Sequence, residues 1–231
     1  MVSLKIIYES DIKLFQEILL KWYSENGRDF IWRRKSTSNY EIIIAEVFLQ
    51  RTKAETVSKF LLGFYKRYPS WNKLGDATLE ELQDFVKPLG LYKQRGTRIY
   101  KLAQELKKRN GRFPKERSEV EEMPMMGQYI TNAYELYVLK KNSPLIDVNM
   151  ARLLERYFGP RRLADIRYDP YLQSLAWRIV DVEKSKEINW AILDFAALIC
   201  KHRVPFCNLC VLNNNCRYYE SIVSTKPNES V

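Results

Sequence analysis

Apolar residues recur three and four positions apart along nearly the whole chain. Ile12, Phe15, Ile18, Leu19 and Trp22 form one such set, and Leu153, Leu154, Tyr157 and Phe158 another. This spacing places them on one face of a 3.6-residue helix. No segment sustains the one-in, one-out alternation of a half-buried strand. Turn signals divide the helical stretches at Asn26-Gly27, Tyr68-Pro69-Ser70, Pro88 with Gly90, Asn110-Gly111 with Pro114, Asn142-Ser143-Pro144 and Gly159-Pro160. The pattern predicts an all-α chain of about ten helices joined by short loops, with no internal repeat and no low-complexity linker. Residues 221–231 read as a flexible polar tail.

With 231 residues, 46% of them hydrophobic, the chain can bury one large core or two small ones, which excludes disorder throughout. Its formal net charge of +10 suits a surface that meets a polyanion, and nucleic acid is the first candidate partner; a merely basic soluble protein is the alternative. No apolar run reaches the 18 or so residues of a membrane span, and the start "MVSLKIIYESDIKLF" lacks a signal-peptide pattern. The protein is therefore expected in the cytoplasm, nucleoid-associated in a prokaryote, and away from membranes.

That compartment changes the reading of the cysteines. All four lie in "CKHRVPFCNLCVLNNNC", from Cys200 through Cys207 and Cys210 to Cys216. A reducing cytosol disfavours disulfides, so a shared metal is the better explanation. Structural zinc sites usually pair two Cys-x-x-Cys elements across a longer loop, and only one is present. Four thiolates in one compact loop suit an iron–sulfur cluster, so ligand chemistry favours a cluster over zinc and either over disulfides. The only histidine, His202, sits inside this loop, which argues against a histidine-dependent catalytic triad.

This C-x6-C-x2-C-x5-C loop, at the end of an all-α chain, resembles the [4Fe-4S] loop of the endonuclease III superfamily of DNA glycosylases. The resemblance implies that the loop is largely structural and that Lys201, His202, Arg203 and Arg217 face the DNA backbone. "MPMMGQYITNA", residues 123–133, looks like the superfamily's helix-hairpin-helix, in which a glycine turn brings backbone N–H groups and a helix N-terminus to a phosphate. Met125 replaces the first glycine of that motif and Gly127 keeps the second. Met125 is thus expected to alter the turn or weaken its phosphate grip, with Gly127 and Gln128 at the DNA.

Glycosylases that also cleave the strand carry lysine at the position of Tyr129, and without that amine no Schiff base forms. Asp147, eighteen residues after Tyr129, matches the superfamily's catalytic aspartate in residue type, spacing and the helix that follows. Breaking an N-glycosidic bond builds positive charge on the sugar. A carboxylate kept ionised by the adjacent helix N-terminus answers that charge. Asn149 is expected to help place the phosphate or the attacking water. On sequence alone Asp147 also suits a plain N-cap.

The segment "IWRRKSTSNYEIIIAEVFLQRTKAETV" resembles one shared by adenine glycosylases and thymine/uracil mismatch glycosylases, with Glu46 at their active-site glutamate. Burial on an apolar helix is expected to raise its pKa so that it can protonate or hydrogen-bond the departing base. Base flipping needs side chains that fill the gap. Gln50 and Arg51 at the end of this helix and Leu91 in "PLGLYKQRG" match that role, with Arg51 and Leu91 as wedges. Tyr129 and Tyr40 are candidates to stack on or wall the flipped base. Adenine glycosylases typically read "LQQT" where this chain has "LQRT", and the archaeal-type thymine mismatch enzymes often place arginine there.

The resemblance covers roughly residues 10–220 and implies a two-lobed helix-hairpin-helix glycosylase fold. A six-helix lobe spans 31–141, a cluster-bearing lobe spans 1–30 with 142–220, and DNA enters between them with Asp147 at the cleft. The expected protein is a monomeric, monofunctional glycosylase acting on double-stranded DNA, removing thymine or uracil mispaired with guanine. Adenine excision opposite guanine or 8-oxoguanine is the alternative within the enzymes. A catalytically silent DNA-binding relative is the alternative outside them.

Overall fold

The computed structural model describes residues 7–224, and every regular element among them is helical. Twelve α-helices and four single 3-10 turns replace the ten or so expected helices, because short elements such as Trp71–Gly75 are capped well enough to close a turn of their own. The chain divides into two compact units, residues 29–140 and residues 1–28 with 141–231.

The 29–140 unit holds α2 (Asn39–Leu49), α3 (Ala54–Arg67), α4 (Trp71–Gly75), α5 (Leu79–Phe85), α6 (Tyr92–Lys108), α7 (Arg117–Glu122) and α8 (Gln128–Tyr137). These are seven α-helices, one more than the expected six, and α4 is the shortest of them. Two starts follow from capping boxes. Ser38 Oγ accepts from Glu41 N at 3.3 Å while Ser38 N donates to the Glu41 carboxylate at 2.8 Å, and Thr78 with Glu81 repeats the arrangement at α5. Tyr40, Ile43, Ile44, Val47 and Phe48 put α2 at the middle of the core, against α3 and α8. An aromatic cluster of Phe48, Phe60, Phe64 and Phe85 fills the space beside it, mostly edge to face.

The other unit holds α1 (Glu9–Asn26), α9 (Val148–Phe158), α10 (Pro170–Val180), α11 (Ser185–Leu198) and α12 (Arg217–Ser224). Its core joins Phe15, Leu19 and Trp22 of α1 to Leu154, Tyr157 and Phe158 of α9 and Phe195 of α11. The predicted apolar stripes of α1 and α9 are thus the faces that meet, with the Phe15 ring 4.9 Å from Tyr157 and 5.1 Å from Phe158. Asp194, fully buried on α11, accepts from the backbone N–H and guanidinium of Arg28 and so ties down the chain just beyond α1. Of the expected tail, Ser221–Ser224 form the last turn of α12, and residues 225–231 lie outside the described residues. Among the described residues no helix is long and apolar enough to cross a membrane.

Candidate active site

In the 29–140 unit, Glu46 lies on the face of α2 turned toward α8 and is only 2% exposed. Its carboxylate accepts a hydrogen bond from the Tyr129 hydroxyl at 2.9 Å. Residues 83 apart in sequence are thereby paired, because α2 and α8 pack side by side and Tyr129 occupies the first turn of α8. Tyr40 is a correction. Its ring stands edge-on to Trp71 at 4.9 Å, its hydroxyl donates to the Tyr68 carbonyl at 2.5 Å, and it is 8% exposed. Tyr40 falls in phase with the core positions 43, 44, 47 and 48 of α2, so it is a packing residue with no face left for a base.

The hairpin joins α7 to α8 through residues 123–127. Met125 sits at φ +68°, in the left-handed region that favours glycine, so the turn survives the substitution expected to alter it. The Met125 side chain is buried in the core, and that burial offsets the backbone cost. Gly127 is the α8 N-cap with an ordinary φ of −65°, and a Cβ there would meet nothing within 4 Å. The chain's own packing does not require glycine at this exposed helix N-terminus. Arg117 of α7 locks the two helices together by bonding Asn132 Oδ1 at 2.7 Å and pairing with the buried Glu135.

Two loops of the same unit carry the predicted wedges. Arg51 (φ +59°) and Leu91 (φ +49°) both adopt left-handed backbone and both are exposed, Leu91 at 56%. An exposed leucine in a conformation that costs its Cβ is not a core residue. Gln50 caps the C-terminus of α2, and its carbonyl accepts from Arg95 Nη2 at 3.0 Å.

In the second unit, Asp147 is the N-cap of α9. One carboxylate oxygen accepts from Asn149 N at 2.9 Å and Met150 N at 2.8 Å, and the other from Asn149 Nδ2 at 2.6 Å. Burial pushes the Asp147 pKa above the ordinary aspartate range, and these donors together with the Arg152 charge pull against it without winning. The helix N-terminus thus acts in the expected direction, toward the ionised carboxylate, and burial opposes it. Asn149 also orients this carboxylate: its amide donates to Asp147, and its carbonyl oxygen accepts from Arg152 Nη1 at 3.1 Å.

Three residues here escaped the sequence reading. Arg152, one turn beyond Asn149 on the same face of α9, bonds the carbonyls of Ala196 and Cys200 and so braces the Asp147 cap against the cysteine loop. Asn189, fully buried on α11, accepts from Leu145 N at 2.7 Å and donates to the carbonyls of Ser143 and Ser185, which fixes the segment leading to Asp147. Arg95 is the third. The i+3 spacing from Asn149 could have revealed Arg152; Asn189 acts across 44 residues and had no local signal.

Cys200, Cys207, Cys210 and Cys216 are all free thiols and line one cavity, closed on its inner side by Leu153, Tyr157 and Leu212. Burial raises the pKa of Cys207, Cys210 and Cys216, with Cys210 pushed up to about 11. Arg156 donates to Cys200 Sγ at 3.3 Å and lies over the Tyr218 ring. Among the described residues no three Cys, His, Asp or Glu side chains are grouped closely enough to hold a single metal ion. Lys201, His202 and Arg203 on the same loop are exposed, and the Arg217 guanidinium lies against Gly159.

The hairpin, the buried Glu46–Tyr129 pair and the Asp147 N-cap can now be set against known proteins. Residues 44–169 match the model of the HhH-GPD superfamily of base excision DNA repair proteins, and the chain belongs to that superfamily. Within it, the chain is 34% identical over 219 residues to the thymine/uracil-DNA glycosylase of Pyrobaculum aerophilum, covering 91% of this chain and 94% of that one. The solved structure of a thermostable thymine-DNA glycosylase superposes with a TM-score of 0.83 at 30% identity, over 91% of this chain and 97% of that chain. An adenine DNA glycosylase of Buchnera aphidicola is 31% identical over 212 residues, covering 89% of this chain but 58% of the relative.

Proposed function

We propose that this protein is a monofunctional DNA glycosylase that hydrolyses the N-glycosidic bond of thymine or uracil opposite guanine in duplex DNA. The observation that carries the reading is the 2.9 Å hydrogen bond from Tyr129 to the buried Glu46. It supports a pair built to hold a base in a dry pocket, with a phenol where a strand-cleaving enzyme needs an amine. The thymine/uracil-DNA glycosylase relative, similar over nearly the full length of both chains, directs the choice of base.

In this reading Glu46 and Tyr129 hydrogen-bond the extruded base as it takes the electrons of the breaking C1′–N bond. The Asp147 carboxylate stabilises the cation left on the sugar, and water adds at C1′ to leave an abasic site. Arg51 and Leu91 fill the gap in the helix, with Gln50 beside the estranged partner. Gly127 and Gln128, at the start of α8, take a phosphate; the empty space around the Gly127 α-carbon supports a close backbone approach there. Tyr40 has no part.

The four cysteines fit a [4Fe-4S] cluster. They are soft donors that line one cavity, and four thiolates in one compact loop suit such a cluster. The raised pKa values of Cys207, Cys210 and Cys216 call for a cationic group to hold those three as thiolates. When bound, the cluster supplies a covalent staple for the loop that carries Lys201, His202 and Arg203. Iron and acid-labile sulfide in equal amounts are expected in the purified protein, and zinc in their place would overturn this assignment.

The test of the activity is a panel of end-labelled duplexes carrying G·T, G·U, G·A, 8-oxoguanine·A or matched pairs, with products resolved before and after alkali. Alkali-dependent cleavage at the thymine of G·T or the uracil of G·U is the expected result. Cleavage at adenine would transfer the protein to the adenine glycosylases, which the 31% identical relative keeps as the second reading. Cleavage without alkali would show a lyase and contradict the role given to Tyr129.

A further inference from the structure

Arg95 is the least expected residue of the 29–140 unit. It occupies a core-facing position of α6, in phase with Ile99, Leu102 and Leu106, and is 6% exposed. A buried guanidinium is costly unless its N–H groups are satisfied, and a carboxylate is its usual partner. Here the acceptors are neutral. Nη1 donates to the carbonyls of Leu89 at 2.8 Å and Gly90 at 3.3 Å, and Nη2 donates to the Gln50 carbonyl at 3.0 Å and Thr52 Oγ1 at 2.8 Å. Burial correspondingly lowers the Arg95 pKa from the usual arginine value, the direction of a cation paid for only by dipoles.

The acceptors belong to two loops that are 37 or more residues apart in sequence. Gln50 and Thr52 flank Arg51, while Leu89 and Gly90 lead directly into Leu91. Each loop thus presents one exposed residue in left-handed backbone, and one guanidinium holds the chain beside both. A planar fork of five donors can bond two segments in one plane; an ammonium on a flexible stem is a point charge that cannot hold both in register.

We infer that Arg95 is a positioning residue that couples the Arg51 and Leu91 loops, so that the two wedges enter the DNA helix as one rigid unit and extrude the target base. The inference rests on the reading of Arg51 and Leu91 as wedges and adds what holds them. Arg95 touches neither base nor sugar in this scheme, and its effect is confined to the step that opens the helix.

The experiment compares wild type, Arg95→Lys, Arg95→Met, the Arg51→Ala/Leu91→Ala double variant and that double variant carrying Arg95→Lys. Base extrusion is followed by the fluorescence of 2-aminopurine placed beside the target in the mismatch that the wild type cleaves. Single-turnover base release is measured on that duplex and on one whose target base lies in a bulge, already unpaired. Thermal melting checks folding. We expect Arg95→Lys to melt near the wild type and to lower extrusion and paired-duplex release together by at least about tenfold, with the loss shrinking several-fold on the bulge. In the double-variant background, Arg95→Lys should cost less than about twofold more.

An Arg95→Lys protein that slows release equally on both duplexes, or that extrudes like the wild type while the double variant does not, overturns the assignment to Arg95. A double variant that extrudes like the wild type overturns the wedge reading instead. A wild type that extrudes no base from any mismatch overturns the glycosylase reading, and this inference with it.

Discussion

In the proposed mechanism Asp147 meets a catalytic demand as well as the structural one of capping α9, and burial sets the two against each other. A group whose folded pKa is raised contributes stability that is fully present below its unfolded pKa and is lost as pH rises through its folded pKa. Once ionised, the carboxylate is therefore a burden on the fold. Asp147→Asn should lower single-turnover base release by about a thousandfold, in the range for removing a preorganised electrostatic group, while the melting temperature at neutral pH stays level or rises. A melting temperature that fell by many degrees would make Asp147 a cap and nothing more. The acid limb of the rate profile should lie above the ordinary aspartate pKa, since the carboxylate is the active form. Asn149→Ala removes the Nδ2 donor that holds the carboxylate down, so it should move that limb to higher pH. A limb that stays in place would assign the titration to another group.

At the scale of elements, the hairpin shows how a turn can keep its shape after losing its glycine. Left-handed backbone costs a side-chain-bearing residue about 1–2 kcal/mol, and truncating a buried methionine costs about 2–5 kcal/mol. Burial is the larger effect, so Met125→Gly should destabilise the protein by about 1–3 kcal/mol in denaturant melts, although it restores the motif glycine. Gly127→Ala should act on binding more than on stability. A weaker N-cap costs about 0.5–1 kcal/mol, but the added methyl fills the open space where a phosphate is proposed to sit, so duplex affinity should fall about tenfold or more. Unchanged affinity would remove Gly127 from the DNA interface. These two residues also mark what could be read from the sequence. The stripes of α1 and α9 and the aspartate before α9 were visible because helical phase is local. The burial of Met125 was not, nor was the Tyr40 hydroxyl's partner 28 residues away. Arg95 was legible as an anomaly, a charge in the apolar phase of α6, but the loops it bonds could be known only from their meeting in space.

Across the whole molecule, the net charge of +10 and the proposed wedges Arg51 and Leu91 should govern different quantities. Contacts to phosphates are blind to sequence and release counterions, so each contributes about −0.9 to the slope of log affinity against log salt on duplex DNA. Contacts within the base stack discriminate between a mismatch and a matched pair and contribute little to that slope. Lys201 and Arg203 stand exposed on the cysteine loop. If both face phosphates, Lys201→Gln with Arg203→Gln should flatten the salt slope by about 2 and weaken binding to G·T and G·C duplexes by the same factor. Leu91→Ala should leave the slope unchanged and erode the preference for the mismatch. Titrations of both duplexes across a salt series separate the two effects. An unchanged slope in the double glutamine variant would take the cysteine loop out of the DNA interface and leave its thiols a purely structural role.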